Sequence, residues 1–270
     1  MIVLQKVVSL KVVFHSQTYS LNTGKNFYLK NALNLQQAMG LLVSAYFLAI
    51  VYPATGLDQW LIAAYFDVAS QHFPLKHEVL LEQFMHTGLK YCIMVVAIAS
   101  LLAALQANIH VAYRASFFAR IQMLFKNPYF YAFIGMVAST SVVAYLKSTS
   151  MHACPSDLTI YGGDLPLLKL FETLPAGMKA GHCFPGGHAS GGFALMAFYF
   201  AFRQAKPMFA AICLSIALFL GFAMGWGQML RGEHFLSHNL WSAWLVWAVL
   251  YLQTLVWPIA INSHESTTYA

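Results

Sequence analysis

Charged residues are scarce in this chain: they make up 9% of its 270 residues, whereas hydrophobic residues make up 59%. Soluble domains carry roughly 25% charged residues, so the composition excludes an ordinary soluble domain. The formal net charge is +6, but the basic residues form no cluster, which argues against a nucleic-acid partner. Stretches of about 20 apolar residues instead predict a polytopic helical membrane protein.

Several other signals are missing as well. The sequence has no internal repeat, no sign of a second domain, and no carboxylate cluster or phosphate–metal motif. We therefore expect neither a cofactor nor a bound metal. No clean small-residue cleavage site follows the first apolar run, so we predict a cytoplasmic or interfacial lead-in over 1–32, a membrane domain over 33–261 and a polar tail over 262–270.

The apolar segments predict an all-α fold, a bundle of six transmembrane helices with a long outer loop over 148–187. The expected spans are 33–52, 89–107, 128–147, a segment from about 188 to 202, 207–229 and 240–261. The fourth segment is short for a span, and the others approach the length that a bilayer requires.

Basic residues near the ends of spans predict the orientation. Nine fall on one side: Lys6, Lys11, Lys25, Lys30, Arg114, Arg120, Lys126, Arg203 and Lys206. Six fall on the other side: Lys76, Lys90, Lys147, Lys169, Lys179 and Arg231. The first side is then cytoplasmic, and the long loop faces outwards.

Two cysteines, Cys154 and Cys183, fall in the predicted outer loop. In an oxidising compartment a disulfide between them would tie the start of this loop to its end. Two free thiols remain an alternative, and so does a zinc site that adds His152 and His182, although no regular ligand spacing supports it.

His188 and His234 flank two apolar segments that a short basic turn, 203–207, connects. Antiparallel spans with so short a link return the chain to the side it left, so both histidines are predicted to lie at one membrane face. Such a pair suits phosphoryl transfer, because one histidine attacks phosphorus while the other protonates the leaving oxygen.

Groups suited to an anion lie beside these histidines. Gly186 and Gly187 let the backbone approach an oxyanion closely, at a helix start where N–H groups are unpaired. Arg231 supplies a planar cation that matches phosphate, and Lys147 adds a point charge. The residues alone therefore predict a metal-independent site for a phosphoryl group.

Three motifs carry a resemblance to a known family. Lys147 is followed after six residues by Cys154-Pro155, and Pro185-Gly186-Gly187-His188 comes next in the chain. His234-Phe235-Leu236-Ser237-His238 closes the series. This order resembles the type 2 phosphatidic acid phosphatase superfamily, integral membrane phosphatases that share their site with vanadium haloperoxidases. The family motifs are Lys-x6-Arg-Pro, Pro-Ser-Gly-His and Ser-Arg-x5-His-x3-Asp.

Four departures from those motifs bear on the chemistry of the site. Cys154 stands where the first motif has Arg, and Gly186 stands where the second has Ser. Gln228 and His238 stand where the third has Arg and Asp, and Arg231 offers a substitute one helical turn after Gln228. The departures leave open an inactive descendant that serves as a binding or scaffolding protein.

The resemblance implies a role for each matching residue. His234 would be the nucleophile that forms a phosphohistidine, His188 the general acid, and His238 the group that orients His234. Phosphate oxygens would be bound by Lys147, Arg231 and the backbone of Gly187. Asn239 could share the orienting role, and in another register of the third motif His238 would be the nucleophile.

The resemblance also implies the substrate class and the location. The substrate would be a lipid phosphate or diphosphate, hydrolysed at the outer face of a membrane, which we expect to be a bacterial inner (plasma) membrane with the site facing the periplasm. A phosphotransferase that passes the phosphoryl group to a lipid A-type acceptor remains an alternative.

Overall fold

The structure is a computed structural model that describes residues 34–111 and 116–258. The predicted lead-in 1–32, the tail 262–270 and the end of the last predicted span lie outside the described residues. The chain divides into two compact units, Met1–Tyr46 and Phe47–Ala270. The described part of the first unit is one α-helix, α1 (34–46).

The described part of the second unit is also helical. Its α-helices are α2 (Leu57–Ala63), α3 (Leu89–Val111), α4 (Phe117–Lys126), α5 (Pro128–Thr149), α6 (Gly187–Ala194), α7 (Met196–Phe202), α8 (Pro207–Leu230) and α9 (Leu236–Val256). π-Helical turns form at Phe47–Val51 and Leu80–Gly88. Only two isolated bridges and no β-strand occur in the described residues, which confirms the predicted all-α class.

Five helical segments are long and apolar enough to cross a membrane: Asn34–Thr55, Leu89–Ile109, Pro128–Ser148, Pro207–Leu230 and Leu236–Val256. They make the chain an integral membrane protein. The segment predicted as the fourth span forms two consecutive short helices, α6 and α7, of 8 and 7 residues. Gly191 and Gly192 weaken the helix there, and the Leu195 N–H turns back to the Gly192 carbonyl oxygen.

Local sequence explains where two of the long helices, α5 and α8, begin. The Asn127 side chain accepts hydrogen bonds from the first N–H groups of α5, and Pro128 fits its first turn. Pro207 plays the same part for α8. α9 differs, because its N-cap residue, Phe235, has no side chain that can accept these hydrogen bonds. A partner from elsewhere in the chain must therefore serve the start of α9.

The α6–α7 pair lies buried against α5, α8 and α9. Gly192 packs directly on α8, because a Cβ at this position would lie 2.5 Å from the backbone nitrogen of Gly221. A Cβ at Gly225 would lie 2.5 Å from the Asn239 side chain of α9. Small residues thus let these helices approach closely, as is common in membrane bundles.

A second cluster of buried residues lies beneath the loops at the end of the bundle where α6 and α9 begin. It consists of Ile62, Phe73, Ala153, Leu158, Tyr161, Met229 and Phe235. Gly232, at φ +70°, turns the chain after α8, and a Cβ there would lie 2.5 Å from the Phe73 ring. The cluster therefore holds the short turn between α8 and α9 in place.

Candidate active site

Three of the histidines singled out by the sequence meet at one end of the bundle. His188 lies in the first turn of α6, His234 in the turn between α8 and α9, and His238 in the first turns of α9. The ring centroids of His188 and His234 are 6.4 Å apart, and those of His234 and His238 are 5.5 Å apart. His234 is 2% exposed, so its ring lies inside the protein, and it is the neighbour of both other rings.

The environment of His234 distinguishes its two ring nitrogens. Its Nδ1 lies 3.3 Å from Nδ1 of His238 and 3.5 Å from Sγ of Cys183, so Nε2 is the nitrogen left for a substrate. Burial lowers the pKa of His234 well below its usual value, and the basic side chains of His238, Lys147 and His188 nearby lower this pKa further. His234 is therefore a neutral imidazole, which can act as a nucleophile near pH 7.

Lys147 lies against the start of α6. A Cβ on Gly187 would be 3.5 Å from Cδ of Lys147 and 3.8 Å from its Nζ. The ammonium group thus lies beside the first backbone N–H groups of α6, which have no partner inside the helix. A cation and a helix N-terminus at one point favour an anion such as phosphate.

Cys154 and Cys183 form a disulfide, the pair that the sequence analysis expected to be bridged. The bonded Cys183 sulfur lies 2.8 Å from the carbonyl oxygen of Glu233 and also touches the His234 ring. The N–H of Cys183 donates to the carbonyl oxygen of His152. The disulfide therefore braces the turn that carries His234, in a position where the family motif has an arginine.

Arg231 has three polar contacts within the protein. Its Nε donates to the Lys76 carbonyl oxygen at 2.8 Å, and its Nη1 lies 3.5 Å from the Gln228 amide oxygen. Its Nη2 lies 3.9 Å from the Glu82 carboxylate. These contacts tie the end of α8 to the 76–82 segment, and phosphate binding by Arg231 stays a prediction.

Close packing against α9 explains why position 186 is a glycine. A Cβ there would lie 2.7 Å from the Asn239 amide oxygen. The N–H of Gly186 donates to the His238 carbonyl oxygen, and its own carbonyl oxygen accepts from the Ser242 hydroxyl. Glycine thus lets the segment before α6 lie directly on α9, which positions His188 relative to His238.

Asp58 is a polar residue of this region that the sequence analysis did not single out. Its carboxylate accepts hydrogen bonds from the Ser237 N–H and from the Tyr52 hydroxyl, both at 2.9 Å. It therefore supplies the cap that α9 lacks. Burial raises the pKa of Asp58, and these hydrogen bonds oppose that shift. A carboxylate between the apolar 48–52 and 61–66 segments was the available signal.

A cavity of about 610 Å³, here called the α3/α5/α6 cavity, opens beside His188. Its polar end contains Lys90, Lys147, His182 and His188. Its remaining walls are mostly apolar side chains of α3 and α5, among them Ile93, Met94, Ala97, Met136 and Val137. The cavity thus joins the histidine site to an apolar space between helices.

A second cavity, of about 680 Å³, lies on the other side of the histidines and is here called the loop cavity. His238, His152 and Asp58 contribute to its wall. Near it, Cys183, His234 and His238 place potential metal-ligand atoms within 4.8 Å of one another. Because Cys183 is in a disulfide, it offers no thiolate, and two histidines fall short of a zinc site.

Comparison with known proteins agrees with this geometry. The family model of the PAP2 superfamily matches residues 128–261, which include α5 to α9 and every motif residue discussed above. No curated protein and no solved structure matches the chain. The match confirms the resemblance noted in the sequence: the chain belongs to the PAP2 superfamily, whose members act as phosphatases or phosphotransferases on phosphorylated lipids.

Proposed function

We propose that the chain is a metal-independent histidine phosphatase that hydrolyses a lipid phosphate or diphosphate through a phosphohistidine. The observation that carries the proposal is the buried His234, whose ring neighbours those of His188 and His238. Lys147 and the first N–H groups of α6 lie beside the same site and favour a phosphoryl group there.

In the proposed reaction Nε2 of His234 attacks phosphorus, and the bond from phosphorus to the leaving oxygen breaks. His188 donates its proton to that oxygen, and Lys147 and the Gly187 N–H stabilise the charge on the phosphoryl oxygens. His188 then takes a proton from a water molecule, which attacks the phosphohistidine and releases phosphate. The sum is one water consumed for one ester or anhydride bond broken.

His238 performs the orienting role in this proposal. The two Nδ1 atoms are 3.3 Å apart. We assign His234 as the donor of this hydrogen bond, which leaves the lone pair of its Nε2 for attack. A neutral His238 accepts this hydrogen bond, but it lacks the negative charge with which a carboxylate would stabilise positive charge on the His234 ring. We therefore expect a slower reaction than a carboxylate in this position would support.

We also place the site at the outer face of a bacterial plasma membrane, with α6 and α7 completing six spans. Two observations support this side. Nine of the fifteen basic residues fall at the predicted span ends opposite the site, which favours a cytoplasmic location for those ends. Disulfides such as Cys154–Cys183 persist in oxidising compartments, which favours the outer face for the site.

The test is phosphate release from lipid mono- and diphosphates by the purified protein with EDTA present. His234→Ala should abolish release, and His188→Gln should lower kcat by about 10²–10⁴. His77→Ala, which changes an exposed histidine, is the matched control. A phosphoryl group that is trapped on the wild-type protein and absent from His234→Ala would identify the intermediate. A folded His234→Ala variant with wild-type release would overturn the proposal.

The same assay separates the alternative functions. Appearance of the phosphoryl group on an added acceptor lipid, with little free phosphate, would indicate a phosphotransferase. Absence of turnover with every lipid, by a protein that is folded, would indicate a non-catalytic member of the family.

A further inference from the structure

We propose that Lys90 and His182 form a second anion subsite that binds the inner phosphate of a lipid diphosphate. This inference rests on the proposed function and specifies its substrate class. Neither residue belongs to the three motifs, yet both line the α3/α5/α6 cavity together with Lys147 and His188. No aspartate or glutamate is found among the described residues that line this cavity, so its polar end favours negative charge.

Helix packing places Lys90 at the depth of the reacting histidine. The Ile93 Cδ1 atom lies 3.6 Å from the point where a Cβ on Gly191 would be. Lys90 and His188 are each three residues earlier, on the same faces of α3 and α6. Because both helices begin at this end of the cavity, one helical turn back from that contact brings Lys90 to the level of His188.

The order of residues along α3 indicates which part of a ligand meets Lys90. Beyond Lys90 the same helix presents Ile93, Met94 and Ala97 to the cavity. We consider a lipid whose reacting phosphate lies at Lys147 and whose chain lies along these apolar residues. The atoms that join its reacting phosphate to its chain then lie beside Lys90. In a monophosphate ester these joining atoms are uncharged, whereas in a diphosphate they are the negatively charged inner phosphate. Only a diphosphate would therefore form an ion pair with Lys90.

The backbone fixes His182 beside the same end of the cavity. His182 is at φ +48°, in the left-handed region that costs free energy for a residue other than glycine. Its N–H donates to the Ser150 carbonyl oxygen at 3.2 Å, and the next residue, Cys183, is held by the disulfide. His182 is exposed and is among the residues that line the cavity.

The subsite would act on the leaving group. His234 attacks the outer phosphorus, the bond to the bridging oxygen breaks, and that oxygen takes a proton from His188. Lys90 and His182 hold the departing lipid monophosphate, and water releases inorganic phosphate from His234. The balanced products are therefore inorganic phosphate and a lipid monophosphate.

The experiment compares a lipid diphosphate and a lipid monophosphate with the same isoprenoid chain. We expect a lower KM for the diphosphate, and a rise of about tenfold in that KM in Lys90→Gln, with the monophosphate KM changed less than twofold. His182→Asn should act in the same direction, because asparagine tolerates the left-handed backbone and removes the imidazole. Lys179→Gln, an exposed lysine of the outer loop, is the matched control and should change neither KM.

Binding separates this inference from the proposed function. A methylene-bridged diphosphonate of the same lipid cannot be hydrolysed at the bridge, so its Kd is measured without turnover. A tenfold weaker Kd in Lys90→Gln would support the subsite even if no phosphate were released from any substrate. Equal effects of Lys90→Gln on both substrates, or an unchanged diphosphonate Kd, would overturn it.

Discussion

Removal of the Cys154–Cys183 disulfide should weaken both the fold and the site. The bond joins residues separated by 29 positions in the sequence. Closing a loop of that length restricts the unfolded chain, which by chain-entropy estimates stabilises the folded state by roughly 3–4 kcal/mol. For a protein of this size that loss corresponds to a fall of roughly 6–16 °C in the unfolding midpoint.

The activity should fall as well, because the Cys183 sulfur touches Nδ1 of His234 and the carbonyl oxygen of Glu233. The perturbation is the pair Cys154→Ala and Cys183→Ala, measured by thermal unfolding in lipid nanodiscs and by phosphate release. Its control is Cys92→Ala with Cys213→Ala, which removes the two free cysteines and leaves the bridge.

A dithiol reductant gives an independent arm of the same experiment. It should lower the midpoint of the wild type and of the Cys92/Cys213 control, and it should leave the bridge-less variant unchanged. A loss of 1 kcal/mol would already lower the midpoint by about 2 °C. A smaller shift on removal of the bridge, together with full activity, would refute the bracing role.

Three further predictions concern the helices and the turn of the site. Asp58→Ala removes the cap of α9 and should cost about 1–2 kcal/mol in denaturant unfolding; an unchanged midpoint would contradict capping by this side chain. The pKa of His234 is lowered in the folded state, so below pH 6.5 the unfolded chain binds more protons and acid should destabilise the protein. His234→Gln should reduce the pH dependence of the free energy of unfolding by up to about 1.4 kcal/mol per pH unit, and an unaltered slope between pH 5 and 7.5 would be the contrary result. Gly192→Ala should destabilise by about 1–3 kcal/mol, because its Cβ would overlap Gly221, whereas Gly191→Ala has room and should be neutral or stabilising; equal unfolding midpoints would count against the close contact of α6 with α8.

The sequence was most informative where a single physical constraint acts along a continuous stretch. Bilayer thickness demands long apolar helices, and the starts of α3, α5 and α8 at Leu89, Pro128 and Pro207 agree with those predicted. In the 188–202 segment the structure forms two short, largely buried helices where one continuous helix was predicted, because Gly191 and Gly192 weaken the helix there. Apolar composition alone does not distinguish a lipid-facing span from a pair of buried helices.

Motif spacing predicted that His188, His234 and Lys147 share one site, and the structure brings these residues together, while their roles stay predictions. It could not identify the partners that come from distant parts of the chain. Asp58 caps a helix from 179 residues away, and Arg231 binds a backbone carbonyl 155 residues away. Such contacts depend on how loops fold over the bundle, which no local pattern in either segment encodes.

The apolar walls of the α3/α5/α6 cavity bear on how this protein should be handled in solution. A space of about 610 Å³ between helices also accommodates the alkyl chain of a detergent. Detergent monomers would then compete with the lipid, and the apparent KM should rise with detergent concentration at a constant bulk substrate concentration. Kinetic constants for this protein are therefore better expressed as mole fractions of substrate in a nanodisc or vesicle than as bulk concentrations.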